Sequence, residues 1–413
     1  MPHAVETFRA SVGASPSTDT KPLVAVIGVG FVGTGLVDSF SSAYNVVGFD
    51  ISKQRIYEVS HEFLARPNVT FTTVERDLQN ATHFLVSVPT LLIPDKSVDL
   101  SYLKSALRMI EKWALPGSTV VIESSVAIGL TRKLLGPIAA SRGFFAGMSP
   151  ERIDPGRTEP PMRSIPKVVS GLDDVIPGSS DAITRLYGRV FEKLVLVSKP
   201  EVAEMTKLYE NCQRMMCIAF ANEMSDACTS HGIDPFEVCT AAGTKPFGYM
   251  PFAPSLGVGG HCIPVNPYYL LSNSEFPLLE AATERMNSRP ARIAHQILED
   301  MGGMKNKRDS GILICKHVLV VGVGFKAGQS HVVNSPGLKL AAELSKFEQV
   351  DVMFADPLVS QSVVPGIPRL PDQDWTREKL GEFDVIIVAF RQWGLDFSVL
   401  ETLTSVSIYK FCN

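Results

Sequence analysis

A cysteine follows a glycine-rich stretch near the middle of the chain. Residues 254–267 read Pro-Ser-Leu-Gly-Val-Gly-Gly-His-Cys-Ile-Pro-Val-Asn-Pro, which places the thiol at Cys262. Glycine allows positive φ and close approach of the backbone to a ligand, and the prolines stiffen the exit of the loop. A thiol held in this way is suited to nucleophilic attack on a carbonyl carbon. The stretch is equally typical of a turn with a buried, inert cysteine, and alone it does not distinguish the two.

Three basic or amide side chains are further candidates for chemistry. Lys207 and Asn211 are four residues apart in a stretch of helical period, so a helix would present both on one face. A lysine on a helix is exposed by default, and the pair alone therefore indicates little about function. Lys167, near the start of a predicted strand, is expected to pair only with an acid on the surface.

A glycine fingerprint near the N-terminus predicts a nucleotide site. The apolar run at 23–27 leads into Gly28, Gly30 and Gly33, and a second such run ends at Asp50. In this pattern the first glycine makes a tight turn, the second admits a pyrophosphate and the third allows the helix to pack on the strand. An acid about 20 residues further on bonds a ribose 2′-hydroxyl. Because a carboxylate there would repel a 2′-phosphate, the pattern favours NAD over NADP.

The alternation of strand and helix continues beyond this fingerprint. Apolar runs at 83–88 and 119–123 end beside small or polar residues, as parallel strands do where they carry ligand contacts. A long helical stretch begins near residue 199, and a second α/β unit starts near residue 316 with the spacing Gly-x-Gly-x-x-x-Gly. Because this is not the complete dinucleotide fingerprint, the second unit is expected to hold a ligand other than a second NAD.

These segments predict an α/β fold with two Rossmann-like doubly wound domains, joined by a helical central domain that contains a long helix. The predicted parts are a disordered tail at 1–21, an NAD-binding domain at 22–198, the central domain with the Cys262 loop at 199–301, a linker at 302–315 and the second Rossmann-like domain at 316–413.

Composition excludes several classes of function. The 413 residues include 45% apolar and 20% charged residues, which is typical of a globular protein of two or three domains. A net charge of −4 offers no general attraction for nucleic acid, and no apolar run approaches the length needed to span a bilayer. The seven cysteines are scattered without metal-ligand spacing, so no metal is expected, and their odd number fits a reducing compartment. We therefore expect a cytoplasmic protein.

Several further motifs make the chain resemble the UDP-glucose/GDP-mannose dehydrogenases, and among them the UDP-N-acetylhexosamine 6-dehydrogenases. The likeness runs from about residue 23 to the C-terminus. The motifs that carry it are the fingerprint at 28–33, Val-Pro-Thr at 88–90, Ser-Pro-Glu-Arg-Ile at 149–153, Ile-Pro-Lys-Val-Val at 165–169, Ala-Glu-Met-Thr-Lys at 203–207 with Asn211, and Gly-Gly-His-Cys-Ile-Pro at 259–264.

The resemblance implies oxidation of a sugar C6 alcohol to a carboxylate with two hydride transfers to NAD. In that reaction Lys207, aided by Asn211, would stabilise the developing alkoxide. Cys262 would add to the aldehyde, and the resulting thiohemiacetal would be oxidised to a thioester. Glu151 would be the base that activates water for its hydrolysis. The resemblance also places Asn266, four residues after Cys262, among the catalytic residues.

The resemblance also assigns binding residues and partners. The implied cofactor contacts are Gly28, Gly30, Phe31, Val32, Gly33, Asp50, Val88, Pro89, Thr90, Ser124, Ser125 and Glu151. The implied contacts with a UDP-sugar substrate are Glu151, Arg152, Ile153, Lys207, Asn211, Ser255, Gly257, Gly259, Phe325 and Lys326. The family is generally dimeric or larger, so a homodimer through the long central helix is expected, with no nucleic-acid or membrane partner.

The chain departs from the family pattern at three positions. Asn266 stands where the family usually has an aspartate, and Val333 and Cys412 stand where it has arginines of the nucleotide pocket. Losing arginine forks beside phosphates costs affinity and geometry. These departures leave two alternatives: a non-catalytic homologue that binds NAD, or a dehydrogenase of the same fold that acts on another alcohol or stops at the aldehyde.

Overall fold

The computed structural model describes residues 7–8, 22–157, 159–301 and 315–413. The chain divides into two compact units, Met1–Glu210 with Tyr268–Ser274, and Asn211–Pro267 with Glu275–Asn413. Most of the predicted tail and nearly all of the predicted linker lie outside the described residues. Within the range of that tail, Thr7 and Phe8 form a short strand.

The first unit contains a mainly parallel sheet of nine strands. Its strands are β1 (Thr7–Phe8), β2 (Leu23–Ile27), β3 (Asn45–Phe49), β4 (Val69–Thr72), β5 (His83–Val86), β8 (Thr119–Ile122), β9 (Phe145–Met148), β10 (Lys167–Gly171) and β11 (Leu194–Leu196), and a separate hairpin pairs β6 (Leu91–Leu92) with β7 (Val98–Asp99). The order across the sheet is β1-β11-β10-β9-β8-β5-β2-β3-β4, and only the β1–β11 and β9–β10 pairs are antiparallel.

The helices differ widely in length. They are α1 (Phe31–Phe40), α2 (Lys53–Glu62), α3 (Ser101–Trp113), α4 (Leu130–Arg142), α5 (Ser179–Tyr187), α6 (Pro200–Ser230), α7 (Pro235–Gly243), α8 (Asn266–Leu271), α9 (Pro277–Asp300), α10 (Pro336–Leu344) and α11 (Arg377–Leu380). With 31 residues, α6 is the predicted long helix. No helix in the described ranges combines the length and apolar character needed to cross a bilayer.

Both faces of the first sheet are covered, as expected for a doubly wound fold. On β2, Val24 and Val26 pack with α1 and α5, whereas Ala25 and Ile27 point to the opposite face and pack with α3 and α4. Successive residues of a strand alternate between faces, so a strand that is apolar at every position must be buried on both. This arrangement leaves the carboxyl edge of the strands free to carry ligand contacts.

The second unit contains a smaller sheet that is wholly parallel. Its strands β12 (Lys316–Val321), β13 (Val350–Ala355), β14 (Val385–Val388) and β15 (Ser407–Lys410) lie in the order β13-β12-β14-β15. Val318 and Val320 pack against α9 and α10 on one face, and Leu319 and Val321 pack on the other. The predicted fold class, two α/β sheets with helical material between them in the sequence, is confirmed.

Candidate active site

The turn between β2 and α1 is built around two glycines. Gly28 has a φ of +87°, which side-chain-bearing residues rarely adopt, and its N–H donates to the carbonyl of Phe49 at 2.8 Å. A Cβ on Gly33 would lie 1.8 Å from the carbonyl oxygen of Gly28. Only glycine at position 33 lets α1 begin so close to the strand.

The remaining fingerprint residues leave room for a dinucleotide. Among the described residues, apart from Gly30 and its two chain neighbours, no atom lies within 4 Å of the point where a Cβ of Gly30 would be, so its backbone is open to close approach. Phe31 and Val32 begin α1, whose first N–H groups suit a pyrophosphate. The carboxylate of Asp50 accepts from the backbone N–H groups of Val29 (3.1 Å) and Ser52 (2.9 Å). This geometry fits NAD, with the Asp50 carboxylate fixed at the end of β3.

The loops that follow β5 and β8 are bonded to each other. They carry the predicted cofactor residues Val88, Pro89, Thr90, Ser124 and Ser125. The Ser124 hydroxyl donates to the carbonyl of Val88 at 2.7 Å, and the Thr90 hydroxyl donates to the carbonyl of Ser125 at 2.8 Å. The Tyr269 hydroxyl donates to the carbonyl of Thr90 at 2.7 Å. Tyr269 could not be singled out from sequence patterns, since its partner lies 179 residues away.

Glu151 and Lys207 form a buried ion pair in the first unit. The side-chain exposures are 7% for Glu151 and 6% for Lys207, and Lys207 Nζ lies 3.4 Å from Glu151 Oε2. The other carboxylate oxygen of Glu151 accepts from the backbone N–H of Ile153. The default expectation of an exposed lysine is therefore wrong for Lys207. A cation and a carboxylate thus lie side by side in a buried position.

Arg152 turns away from this pair. Its guanidinium bonds both carboxylate oxygens of Glu210, and its Nη1 donates to the carbonyl of Pro166 at 2.8 Å. These contacts join the turn after β9 to α6 and to the start of β10. The observed contacts of Arg152 are thus with the protein itself, whereas the resemblance implied a substrate contact.

A second buried ion pair lies directly beneath the Glu151 turn. Lys167 Nζ is 2.5 Å from Glu123 Oε2, and the other oxygen of Glu123 accepts from the Tyr187 hydroxyl. Lys167 also donates to the carbonyls of Ser149 and Pro150, at 3.4 and 3.3 Å. The expectation that Lys167 pairs with a surface acid is wrong, because Glu123 is fully buried.

Burial controls the protonation of this second pair. It raises the pKa of the Glu123 carboxyl, although Lys167 and the Tyr187 hydroxyl oppose that shift. Burial together with the neighbouring Glu123 raises the pKa of Tyr187 well above its ordinary value. The buried carboxyl of Glu123 is costly to ionise, and the neighbouring Lys167 offsets that cost. Lys167 also bonds the carbonyls of Ser149 and Pro150, and it thereby holds the Ser149-Pro150-Glu151 turn in place.

In the second unit, Asn266 is bonded to Asn211 and to the cysteine loop. Asn211 Nδ2 donates to Asn266 Oδ1 at 2.5 Å, and both side chains are buried. The backbone N–H of Asn266 donates to the carbonyl of Cys262 at 2.9 Å, so the cysteine lies at the first turn leading into α8. The half-buried Cys262 is not in a disulfide.

The glycines of the cysteine loop pack against the second sheet domain. Gly260 has a φ of +90°, and a Cβ there would lie 3.0 Å from the Phe325 ring. A Cβ on Gly259 would lie 3.0 Å from Pro336, and one on Gly257 would lie 3.3 Å from Pro336. Close packing between two parts of the second unit is one reason for these glycines, besides the predicted approach of a substrate.

Ser255 and Lys326 complete the predicted substrate residues of the second unit. The backbone N–H of Ser255 donates to Asn222 Oδ1 at 2.7 Å, and its hydroxyl donates to the carbonyl of Gly257 at 3.1 Å. Asn222 is fully buried on α6 and was not singled out by the sequence. Lys326 Nζ lies 5.7 Å from the centre of the Phe325 ring.

In the glycine turn after β12, backbone N–H groups are hydrogen-bonded to a carboxylate of the same sheet domain. Asp356 accepts from the backbone N–H groups of Val323 and Gly324, both at 3.0 Å, and from Gln392 Nε2 at 2.9 Å. A Cβ on Gly324 would lie 2.5 Å from the carbonyl oxygen of Gln329. The carboxylate at the end of β13 is thus bonded to the backbone of its own glycine turn.

Two family models match the chain. The NAD binding domain of the UDP-glucose/GDP-mannose dehydrogenase family matches residues 22–191, and the central domain of the same family matches residues 201–288. Among curated relatives, the UDP-N-acetyl-D-glucosamine 6-dehydrogenase of Pseudomonas aeruginosa is 35% identical over 366 residues, covering 82% of this chain and 83% of the relative.

A second relative and one solved structure come from Pyrococcus horikoshii. The UDP-N-acetyl-D-mannosamine dehydrogenase of Pyrococcus horikoshii is 30% identical over 362 residues, covering 81% of this chain and 84% of the relative. The solved structure of a UDP-D-ManNAc dehydrogenase from Pyrococcus horikoshii aligns with a TM-score of 0.76 and 26% identity, covering 94% of this chain and 99% of that one.

Proposed function

Because the chain belongs to the UDP-glucose/GDP-mannose dehydrogenase family and is an NAD-dependent dehydrogenase, we propose that it oxidises the C6 alcohol of a UDP-N-acetylhexosamine to the uronic acid. The relatives named as UDP-N-acetyl-D-glucosamine and UDP-N-acetyl-D-mannosamine dehydrogenases support this substrate class. The glycine turn after β2 would hold NAD, and two NAD molecules bound there in succession would each take up one of the two hydrides that the oxidation releases.

The observation that carries the proposal is the buried pair of Lys207 and Glu151. Two charges are taken out of water at a cost in free energy, and Lys207 is one helical turn from Asn211 on α6. Buried and paired ionisable groups of this kind are characteristic of sites where protons are transferred.

Each residue then has one role in the oxidation. Lys207, with Asn211, stabilises the alkoxide that develops as the first hydride leaves C6. The Cys262 thiolate adds to the aldehyde carbon, and loss of a second hydride from this thiohemiacetal gives a thioester. Glu151 accepts a proton from the attacking water, the C–S bond breaks, and the acid and the thiol are released. One alcohol, one water and two NAD+ thus yield one carboxylate, two NADH and three protons.

The alternative that oxidation stops at the aldehyde rests on Asn266. An amide that receives the Asn211 hydrogen bond cannot itself accept a proton from water or attract Lys207 as a carboxylate would. The two outcomes differ in stoichiometry, because the acid requires two NADH per sugar consumed and the aldehyde requires one.

The test is turnover of purified protein with NAD and a panel of UDP-sugars, measuring NADH and product together. We expect about two NADH per UDP-N-acetylhexosamine consumed and a uronic acid as product. Cys262→Ala should reduce the rate of acid formation by about 10³-fold or more, as expected for loss of a covalent nucleophile. Cys315→Ser changes an exposed cysteine and should leave the rate unchanged. Absence of NADH with every UDP-sugar would contradict the proposal and favour the non-catalytic alternative.

We also propose a cytoplasmic homodimer. None of the seven cysteines is in a disulfide, as expected in a reducing compartment. Several large apolar side chains are exposed around the C-terminal half of α6 and the segment after α7, including Phe220, Phe247 and Met250. Exposed apolar area of this kind marks interaction surfaces.

A further inference from the structure

In the second unit, the segment 331–335 is hydrogen-bonded to the cysteine loop at Gly260. The backbone N–H of Gly260 donates to the carbonyl of Val333 at 2.9 Å, and Asn334 Nδ2 donates to the carbonyl of Gly260 at 3.0 Å. Gly260 is buried, so its backbone groups depend on partners within the protein. Two consecutive residues of another loop supply those partners.

Asn334 has a backbone conformation that few residues tolerate. Its φ is +52°, in the left-handed region. Asparagine is found in this region more often than most residues that carry a side chain, but the conformation still costs free energy. The surrounding structure therefore maintains a conformation that the residue alone would rarely adopt, and in this conformation its amide reaches the carbonyl of Gly260.

The neighbours of Asn334 are held by further hydrogen bonds. The carbonyl of His331 accepts from the backbone N–H of Phe325 at 2.9 Å. The Ser335 hydroxyl donates to the carbonyl of Gly324 at 2.9 Å, and its oxygen caps the N-terminus of α10. The segment is thus attached on both sides of Asn334 to the glycine turn after β12, which gives the amide of Asn334 a fixed position.

The two residues of this contact differ in what they require of the side chain. Val333 contributes its carbonyl, which any residue type could offer at that position. Asn334 contributes a side-chain donor and must also tolerate a left-handed backbone. Glycine tolerates the backbone without a donor, and aspartate would present a second acceptor to the carbonyl of Gly260. Asparagine meets both requirements.

The other end of the cysteine loop is attached to the turn that leads into α8. The carbonyl of Cys262 accepts from the backbone N–H groups of Val265 at 3.2 Å and Asn266 at 2.9 Å. Gly260 is only two residues before Cys262, a stretch that spans at most about 7 Å. A displacement of Gly260 would therefore be transmitted to Cys262.

We propose that Asn334 is a positioning residue for Cys262, and that its amide holds the carbonyl of Gly260 and thereby sets where the loop presents the sulfur. The inference rests on the proposed function, in which the Cys262 thiolate adds to the aldehyde carbon. Attack of this kind requires accurate placement, and a displacement of about 1 Å can lower a rate about 100-fold. Asn334 acts through Gly260 and takes no part in bond formation.

Alkylation by iodoacetamide, followed for each cysteine by peptide mass spectrometry, tests the assignment without turnover. Glycine adopts the left-handed conformation without strain, so Asn334→Gly removes the amide and leaves the backbone of the segment free to keep its path. We expect Cys262 in this variant to react at least about 5-fold faster, because the loop opens more often once the buried carbonyl of Gly260 has lost its donor. Asn287→Ala removes an exposed amide of α9 and should leave the rate unchanged.

Other cysteines of the second unit are internal controls in the same sample. Cys212 and Cys228 are buried and report a general loosening of the unit, whereas Cys315 is exposed and reports the activity of the reagent. The rates of all three should be the same in Asn334→Gly and in the unchanged protein. If Cys212 and Cys228 also react faster, the variant is loosened as a whole and the positioning role is overturned.

Turnover separates positioning of the thiol from attachment of the loop alone. In Asn334→Gly we expect kcat for acid formation to fall at least about 5-fold, with little change in KM for NAD, although Cys262 is more accessible to the reagent. Unchanged alkylation of Cys262, or faster alkylation with an unchanged kcat, would overturn the assignment. Faster alkylation in Asn334→Gly, where the unchanged protein oxidises no UDP-sugar, would retain the contact between the two loops and overturn the proposed function.

Discussion

At the scale of single residues, the exchange of an expected aspartate for Asn266 is accommodated by a specific partner. An asparagine offers both an acceptor and donors, and its Oδ1 receives the amide of Asn211. Neither side chain has access to solvent, so each depends on the other. The position therefore remains organised without a carboxylate.

We expect Asn266→Ala to lower the free energy of unfolding by about 1–3 kcal/mol, because the buried amide of Asn211 would lose its acceptor. Urea denaturation at constant m-value measures the change. Asn80→Ala alters an exposed asparagine and should shift stability by less than about 0.5 kcal/mol. Equal stability of Asn266→Ala and the unchanged protein would show that the Asn211 bond contributes nothing.

The pair of Glu123 and Lys167 gives a second prediction, which concerns pH. Lys167→Met should cost about 3–5 kcal/mol at neutral pH, because it leaves a buried carboxylate without its cation. Without Lys167 the pKa of Glu123 in the folded protein rises further above its ordinary value. The contribution of Glu123 to the stability of the variant is therefore fully present below the ordinary carboxyl pKa, and it is lost as the pH rises through the raised pKa.

Urea-denaturation midpoints measured at pH 5 and pH 8 test whether the variant loses stability as the pH rises. The deficit of Lys167→Met relative to the unchanged protein should be larger at pH 8. In the double variant Glu123→Gln/Lys167→Met the difference between the two pH values should disappear, because nothing at that position titrates. A deficit independent of pH in Lys167→Met would mean that removing Lys167 does not change the protonation of folded Glu123 between pH 5 and pH 8.

At the scale of elements, turns and helices marked by local sequence patterns could be predicted, whereas contacts between residues far apart in the sequence could not. The turn from β2 to α1 follows from Gly28, Gly33 and the two apolar runs, all within 28 residues. The Lys167–Glu123 pair joins residues 44 positions apart, and neither has a local pattern that marks it as buried. The antiparallel pairing of β9 with β10 inside a parallel sheet was likewise beyond the reach of periodicity, which does not encode strand direction.

The cysteine loop shows how one element serves packing and chemistry together. Gly260→Ala places a side chain at a φ of +90° and against the Phe325 ring, so we expect stability to fall by about 1–2 kcal/mol or more. Acid formation should also slow, because Cys262 is two residues further along the same loop. Gly366→Ala is a matched control, since a Cβ there meets nothing within 4 Å and its φ is not left-handed. A neutral effect of Gly260→Ala on both stability and rate would contradict this account.

At the scale of the whole molecule, the second unit presents an apolar surface on α6 and α7. A cavity of about 600 Å³ is lined by Met216, Phe220, Met224, Val238 and Met250, among other apolar residues. Phe220 is 64% exposed in the single chain, which is unusual for a phenylalanine surrounded by other apolar groups. The sequence could predict a long helix but not which of its sides would remain uncovered, because this depends on tertiary packing.

If two copies meet through this surface, a charge at its centre must separate them. We expect the unchanged protein to show twice the mass of one chain in light scattering, and Phe220→Asp to show the mass of one chain, because a desolvated carboxylate would oppose burial of the apolar area. Leu115→Asp places the same charge on an exposed leucine of the first unit and should leave the mass doubled. If Phe220→Asp still shows twice the mass of one chain, the interface lies on another face. If the unchanged protein shows the mass of one chain, this apolar surface is exposed to solvent and does not join two copies.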